Sequence, residues 1–234
     1  MLKFIFATLL IFTCAFIPSN TNAETNSSEY WLQKGNDSYE AQDSTTAIEH
    51  YTKAIKLNPN SAAAYYQRGY AYHELFLCKE ALADYSKAIE LDPKSAKTYH
   101  DRGMLHCDQK NYDLAIKDFD KASAMDPNNA DIHYNRGIVR YSNQNLLDLA
   151  IVDFTKAIAI NPKHTKAYFS RGCAYDDLDK HDLAIADYTK AIELKENIDI
   201  TNYDIIYLGF PNWWSNIPMC IYTFLESHNF SNKI

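Results

Sequence analysis

Residues 62–95 read AAAYYQRGYAYHELFLCKEALADYSKAIELDPKS, and most of the chain is written in the same grammar. The glycine of this stretch, Gly69, belongs to a series at positions 35, 69, 103, 137 and 172, spaced by 34 residues three times and then by 35. Sixteen residues after the glycine stands an aromatic (Tyr51, Tyr85, Phe119, Tyr188), or seventeen after it in the fourth unit (Phe154). An alanine precedes that ring by four positions (Ala47, Ala81, Ala115, Ala150, Ala184), and another follows it by three (Ala54, Ala88, Ala122, Ala157, Ala191). Spacings of three and four put these residues on one face of a helix. The small side chains admit a neighbouring helix at close range, and the ring fills the space between.

Each unit therefore reads as a helix pair. The units begin at Ser28, Ala62, Ala96, Ala130 and Thr165, giving approximate bounds of 28–61, 62–95, 96–129, 130–164 and 165–196. First helices are expected over 63–75 and 97–109 in the second and third units, and second helices over 79–91 and 112–125. Four units close on Asn58-Pro59, Asp92-Pro93, Asp126-Pro127 and Asn161-Pro162. Proline lacks the amide donor and disfavours helix in the residue before it, so each pair ends a second helix. Ser61, Ser95 and Asn129 then stand where the next helix wants an N-cap. The extra residue of the fourth unit falls within 141–147, a turn in which an insertion costs little.

Composition removes several function classes. An apolar share of 47% and an aromatic share of 14% are too high for a disordered chain. Five of the six glycines serve the repeat, so a glycine-rich nucleotide loop is excluded. The net charge of −7, with no basic cluster, argues against nucleic acid. No Ser/His/Asp set, paired carboxylates or nucleophile elbow stands out, so no enzyme is expected. His73, His100, His106 and His133 with Cys107 raise a metal reading, but no short ligand pair such as His-x-x-x-His occurs, and packing or surface placement is the expectation.

The N-terminus carries a targeting pattern. Lys3 precedes an uncharged run over 4–17, and Thr21-Asn22-Ala23 follows before Glu24. A basic start, an apolar centre and a small residue at the cut make residues 1–23 a signal peptide, and the run is short of the ~20 residues that span a membrane. An uncleaved anchor is the competing reading. Cys14 follows Phe12-Thr13, a poor lipidation context. The mature chain is expected from Glu24, exported to a periplasmic or extracellular location of bacterial type, with no membrane span after cleavage. Cys78, Cys107, Cys173 and Cys220 include no Cys-x-x-Cys pair, and free, partly buried thiols are expected.

The units resemble the tetratricopeptide repeat (TPR) family: Trp31-x-x-Lys34-Gly35, Ala47-x-x-x-Tyr51, Ala54 and Pro59 follow its pattern, and units two to five repeat it over residues 28–195. The resemblance implies an all-α fold, a right-handed superhelix of five repeats spanning 24–195, used for protein–protein interaction. Where the family has leucine before the glycine, this chain has Lys34, Arg68, Arg102, Arg136 and Arg171. Units two to five also carry Asp84, Asp118, Asp153 and Asp187 before the second-helix ring, while the first unit has Lys34 and His50. Base and acid change together, which predicts an Arg–Asp bridge within each repeat. An arginine ladder for an anionic ligand is the alternative.

The resemblance further implies that first helices line a concave groove through positions 5, 9, 12 and 13 of each unit. These give a partner-binding set of Tyr66, Tyr70, His73, His100, Met104, Tyr134, Tyr141 and Phe169, with an acidic margin at Glu40, Glu74, Asp108 and Asp177. Packing against adjacent repeats is the competing reading for about half of the position-9 residues, and plain solvation for the margin. The expected ligand is a protein or an extended or helical peptide with aromatic and basic groups. Of the carboxylate-clamp pattern used by chaperone adaptors in this family, Asn36 alone is present, so the clamp is not carried over.

After Leu194 the repeat grammar stops. Residues 203–210 read as an apolar strand, and Pro218 opens an expected helix to Leu225. Residues 197–234 resemble an internal fragment of the flavodoxin-like family. In that family the loop matching Pro211, Asn212, Trp213 and Trp214 packs beside the flavin of FMN. The family's phosphate loop and flanking strands are missing here, so the segment reads as a truncated remnant and no cofactor is expected. The alternative is a flavodoxin-like FMN-binding electron-transfer protein for which the repeats form a docking arm.

Overall fold

The computed structural model describes residues 27–142 and 146–195. Among them lie ten helices and no strand. They pair as α1 (Ser28–Glu40) with α2 (Ser44–Leu57), α3 (Ala62–Glu74) with α4 (Cys78–Leu91), and α5 (Ala96–Asp108) with α6 (Tyr112–Met125). The series continues with α7 (Ala130–Tyr141) and α8 (Leu147–Ile160), then α9 (Thr165–Asp176) and α10 (His181–Lys195). The expected helices fall within a residue of those found. The signal segment, the strand and helix expected in the tail, and Pro211, Asn212, Trp213 and Trp214 lie outside the described residues.

Local chemistry sets the helix ends. Ser61 and Ser95 each accept the N–H three residues on at 3.3 Å, and Asn129 accepts from Asp131 and Ile132. At the other end, Asn58, Asp92, Asp126 and Asn161 leave the helix ahead of their prolines. Asn58, Asp92 and Asn161 fold their side chains over the proline to accept the N–H two residues on, at 3.0–3.1 Å. That Asx turn explains why asparagine or aspartate precedes the proline. Inside the repeats, Gln42, Phe76, Lys110 and Asp179 turn the chain with φ of 55–62°. At Phe76 its own N–H bonds to the His73 carbonyl and the Leu77 N–H to that of Tyr72, both at 2.9 Å, which is the Schellman pattern.

The second-helix rings fill the core. Tyr51, Tyr85, Phe119, Phe154 and Tyr188 are at most 3% exposed. Each lies on the bare Cα of its repeat's glycine: a Cβ on Gly137 would stand 2.6 Å from Phe154 Cε1. No repeat owns its core. Ala47 and Tyr51 pack with Ala71 of the next unit, Ala81 and Tyr85 with Leu105, Ala115 and Phe119 with Val139, and Ala150 and Phe154 with Ala174. Each unit therefore needs its neighbour to bury its apolar face. Each first helix also touches the next first helix, so the first helices share one side of the stack.

The Arg–Asp bridge is present in all four units. Arg68, Arg102 and Arg171 grip Asp84, Asp118 and Asp187 through Nε and Nη2 at 2.7–2.8 Å, and Arg136 holds Asp153 in the same way. The remaining Nη1 of each arginine donates to the previous repeat, to Thr52, Ser86, Asp120 or Thr155, at 2.7–3.1 Å. One guanidinium thus ties three helices together. In the first unit, Lys34 reaches Asp37 and His50 Nδ1 lies 3.2 Å from the Lys34 carbonyl.

Candidate functional site

The side formed by the first helices carries the residues at positions 5, 9, 12 and 13. Tyr66, Tyr70, His73, His100, Met104, Tyr134, Tyr141 and Phe169 are all half-buried, neither sealed in nor standing free. Each position-5 ring rests on the second-helix ring of its own repeat, with centroids 5.5–6.0 Å apart (Tyr66–Tyr85, His100–Phe119, Tyr134–Phe154, Phe169–Tyr188). Tyr70 meets Tyr39 edge-on at 5.6 Å and lies 6.3 Å from Tyr66, so three tyrosines from two repeats form a continuous strip. Met104 packs beside Phe119 and Val139, and Tyr141 beside Phe154. At position 9 the fifth unit departs from the others, because Cys173 is buried.

Two polar ladders, invisible from periodicity alone, run across this side. Position 5 of one repeat bonds to position 6 of the next. The Tyr66 hydroxyl donates to Asp101 Oδ2 at 2.7 Å, His100 Nε2 meets the Asn135 amide at 2.9 Å, and Tyr134 lies beside Ser170. His100 Nδ1 also lies 2.9 Å from Asp101 Oδ1, so an imidazole with its proton on Nδ1 donates to the carboxylate and accepts from the amide. Position 12 of one repeat faces position 13 of the next: His73 Nε2 lies 2.9 Å from Asp108, Tyr39 lies beside Glu74, and Tyr141 beside Asp177. Of the expected acidic margin, Glu74, which accepts from the Ser44 hydroxyl at 3.2 Å, and Asp108 are therefore held in place by the preceding repeat. Single-sequence periodicity identifies both ends of each rung but not that they meet, because the partners stand about a repeat apart.

These groups are not poised for chemistry. Burial lifts the tyrosine pKa values above the ordinary range, helped by the Asp101 charge at Tyr66, by Glu74 at Tyr39 and by Asp177 at Tyr141. Burial and the Asp108 charge push the Cys107 thiol up to about 12, which suppresses the thiolate. Cys78 is a half-buried free thiol. His106 is buried with Nε2 3.8 Å from Asp118, and His133 Nε2 donates to the Pro127 carbonyl at 3.1 Å. Among the described residues no three His, Cys, Asp or Glu side chains converge as a metal set. An open cleft of about 460 Å³ includes Tyr99, Arg102, His106 and Lys117 in its lining, but its arginine is already taken by Asp118.

Comparison with known proteins gives the following matches. Models described as TPR or tetratricopeptide repeat match residues 35–75 and 103–144, 62–95, and 84–117. A flavodoxin model matches residues 136–234. Within the described residues, that stretch is the helix pairs α7–α8 and α9–α10, whose Gly137 and Gly172 lie against the Phe154 and Tyr188 rings, so neither opens onto a phosphate. No curated protein matches the chain. Among solved structures, one of MamA is 30% identical, spans 70% of this chain and 95% of its own, and superposes with a TM-score of 0.66. A MamA fragment from Desulfovibrio magneticus RS-1 is 22% identical over 74% of this chain and 97% of its own, at 0.68. YrrB, described as a TPR protein with an unusual peptide-binding site, is 22% identical over 76% of this chain and 90% of its own, at 0.64.

Proposed function

Because this chain belongs to the tetratricopeptide repeat family, we propose that it is a non-catalytic scaffold holding a protein or peptide along a groove on its first-helix side. The observation that supports this is the strip of half-buried rings Tyr39, Tyr70 and Tyr66, with His100, Tyr134 and Phe169 half-buried at position 5 of the following repeats. A ring seated on the core by one face has lost most of its rotamer freedom, so covering its other face gains apolar burial at little further entropy cost. Contiguous surfaces of this kind mark interaction sites. The experiment is hydrogen exchange on the full chain with a peptide ligand. Protection concentrated in α3, α5 and α7 supports the reading, and protection confined to second helices refutes it. The leader pattern at residues 1–23 supports export, and among the described residues no helix is long and apolar enough to cross a membrane.

The flavodoxin match favours a second reading, a flavodoxin-like FMN-binding electron-transfer protein in which Pro211, Asn212, Trp213 and Trp214 would meet the flavin and the repeats form a docking arm. The described part of that match is built as repeats whose Gly137 and Gly172 lie against core rings, which supports the reading without FMN. Incubation with FMN followed by gel filtration tests the point: flavin absorbance co-eluting with the protein would revive that reading.

A further inference from the structure

The carboxylates of this protein are treated in two ways. Asp84, Asp118, Asp153 and Asp187 each face an arginine, so their charge is cancelled where it stands. On the first-helix side, Glu74 accepts from the Ser44 hydroxyl at 3.2 Å with Tyr39 beside it, Asp108 meets the His73 imidazole at 2.9 Å, and Asp177 lies beside Tyr141. Among the described residues no lysine or arginine pairs with these three. A hydroxyl donor fixes the position of a carboxylate and leaves its charge in force.

A second observation points into the same place. Tyr85 is fully buried, and its hydroxyl has no hydrogen-bond partner. In the first repeat the equivalent Tyr51 hydroxyl donates to Asn36, a position-9 residue, at 3.0 Å. The second repeat has Tyr70 at that position, which packs against Tyr85, and the charges felt at the Tyr85 hydroxyl are the carboxylates of Asp101 and Glu74. A buried O–H without an acceptor is uncommon in a folded protein and points to an acceptor from outside. The rings of this strip also receive cations within the chain itself: the Lys97 ammonium lies 4.9 Å from the centre of Tyr66.

Resting on the groove reading above, we propose that the partner is a basic peptide segment. Its lysine or arginine side chains lie across the tyrosine faces against Glu74 and Asp108. Its backbone carbonyl takes the Tyr85 hydroxyl once the Tyr70 ring swings off it. These donors keep the carboxylates in place before the ligand arrives, so little ordering of the carboxylates remains to oppose binding.

The test titrates the full chain, by fluorescence anisotropy, with three labelled peptides of equal length in which tyrosine alternates with lysine, glutamine or glutamate. The lysine peptide binds at least about tenfold more tightly than the glutamine peptide, and added salt narrows the gap. The double variant Glu74→Gln with Asp108→Asn keeps acceptors for Ser44 and His73 and erases the lysine preference. Tyr85→Phe weakens all binding peptides while thermal stability holds or rises, a combination that a purely structural hydroxyl would not give. Equal affinity for the lysine and glutamine peptides, or a preference that survives the double variant, overturns the basic partner and leaves the groove standing. No binding by any peptide, with no exchange protection in the first helices, sinks the groove itself. Self-association that blocks the peptides would hand this side to a second copy and overturn the proposal.

Discussion

Replacing Arg102 by leucine isolates the device that joins the repeats. Arg102 makes two bonds of 2.8 Å to Asp118 and one of 3.1 Å to Ser86, and Asp118 is 5% exposed. Leucine keeps the apolar stem and strands a buried carboxylate. Breaking a buried pair from one side costs about 3–5 kcal/mol. The arginine side chain is 20% exposed, which argues for the lower end, and the lost Ser86 bond adds about 1 kcal/mol. A loss of about 3–4 kcal/mol is expected, read by urea denaturation followed by circular dichroism at neutral pH. Salt should change it little, because the pair is shielded from solvent. The double variant Arg102→Leu with Asp118→Leu removes the stranded charge and should regain most of the loss, coming within about 1 kcal/mol of the parent. A single variant that loses less than about 1 kcal/mol, or a double variant no more stable than the single, refutes the bridge as the cause.

Three further outcomes follow from the geometry. Gly137→Ala brings a methyl to 2.6–2.8 Å from the Phe154 ring, and after the better helix propensity of alanine is counted it should destabilise by about 1–2 kcal/mol; adding Phe154→Leu should restore part of the melting temperature. Phe76 is 86% exposed at φ 58°, a conformation that costs an L-residue about 1–2 kcal/mol, so Phe76→Gly should raise stability by about 0.5 kcal/mol in the same denaturation assay despite glycine's backbone entropy. His164 Nδ1 caps α9 by accepting the Ala167 N–H at 3.2 Å, which requires an unprotonated ring nitrogen. Burial lowers the His164 pKa, with Asp131 pulling it partly back, so the folded value lies below the unfolded one. The stability is therefore present above about pH 6.5 and lost as pH falls below it. Melting curves between neutral and mildly acidic pH should show that decline, and His164→Asn, a non-titrating cap, should flatten it.

The repeat was legible because its signals are local. Gly69 against Tyr85, the alanines around the ring, Ser95 as a cap and Asp92 before its proline all act within one unit or across one turn. The Arg–Asp bridge was legible for a different reason: Lys34 and His50 replace both partners in the first unit, so the chain carries its own comparison. The third arm of each arginine was not, because Thr52, Ser86, Asp120 and Thr155 differ in kind and share only the ability to accept. The aromatic line was foreseen by position, but its footing on the second-helix rings was not. The rungs joining Tyr66 to Asp101 and His73 to Asp108 needed coordinates, since thirty-odd residues separate their ends and any polar side chain can serve at either one. His164 carries no cap signal in sequence, because imidazole accepts an N–H only in one protonation state.

The spare arm of each arginine also bears on how such an array could change in length. A unit copied or moved within units two to five carries its own Arg and Asp, and it finds an oxygen acceptor waiting on whichever second helix now precedes it, be it that of Thr52, Ser86, Asp120 or Thr155. Insertion or duplication there would leave every clasp closed without a compensating substitution elsewhere. The opening unit, with Lys34 and His50, cannot be shuffled inward on the same terms: it can begin a stack but lacks the hook to follow one.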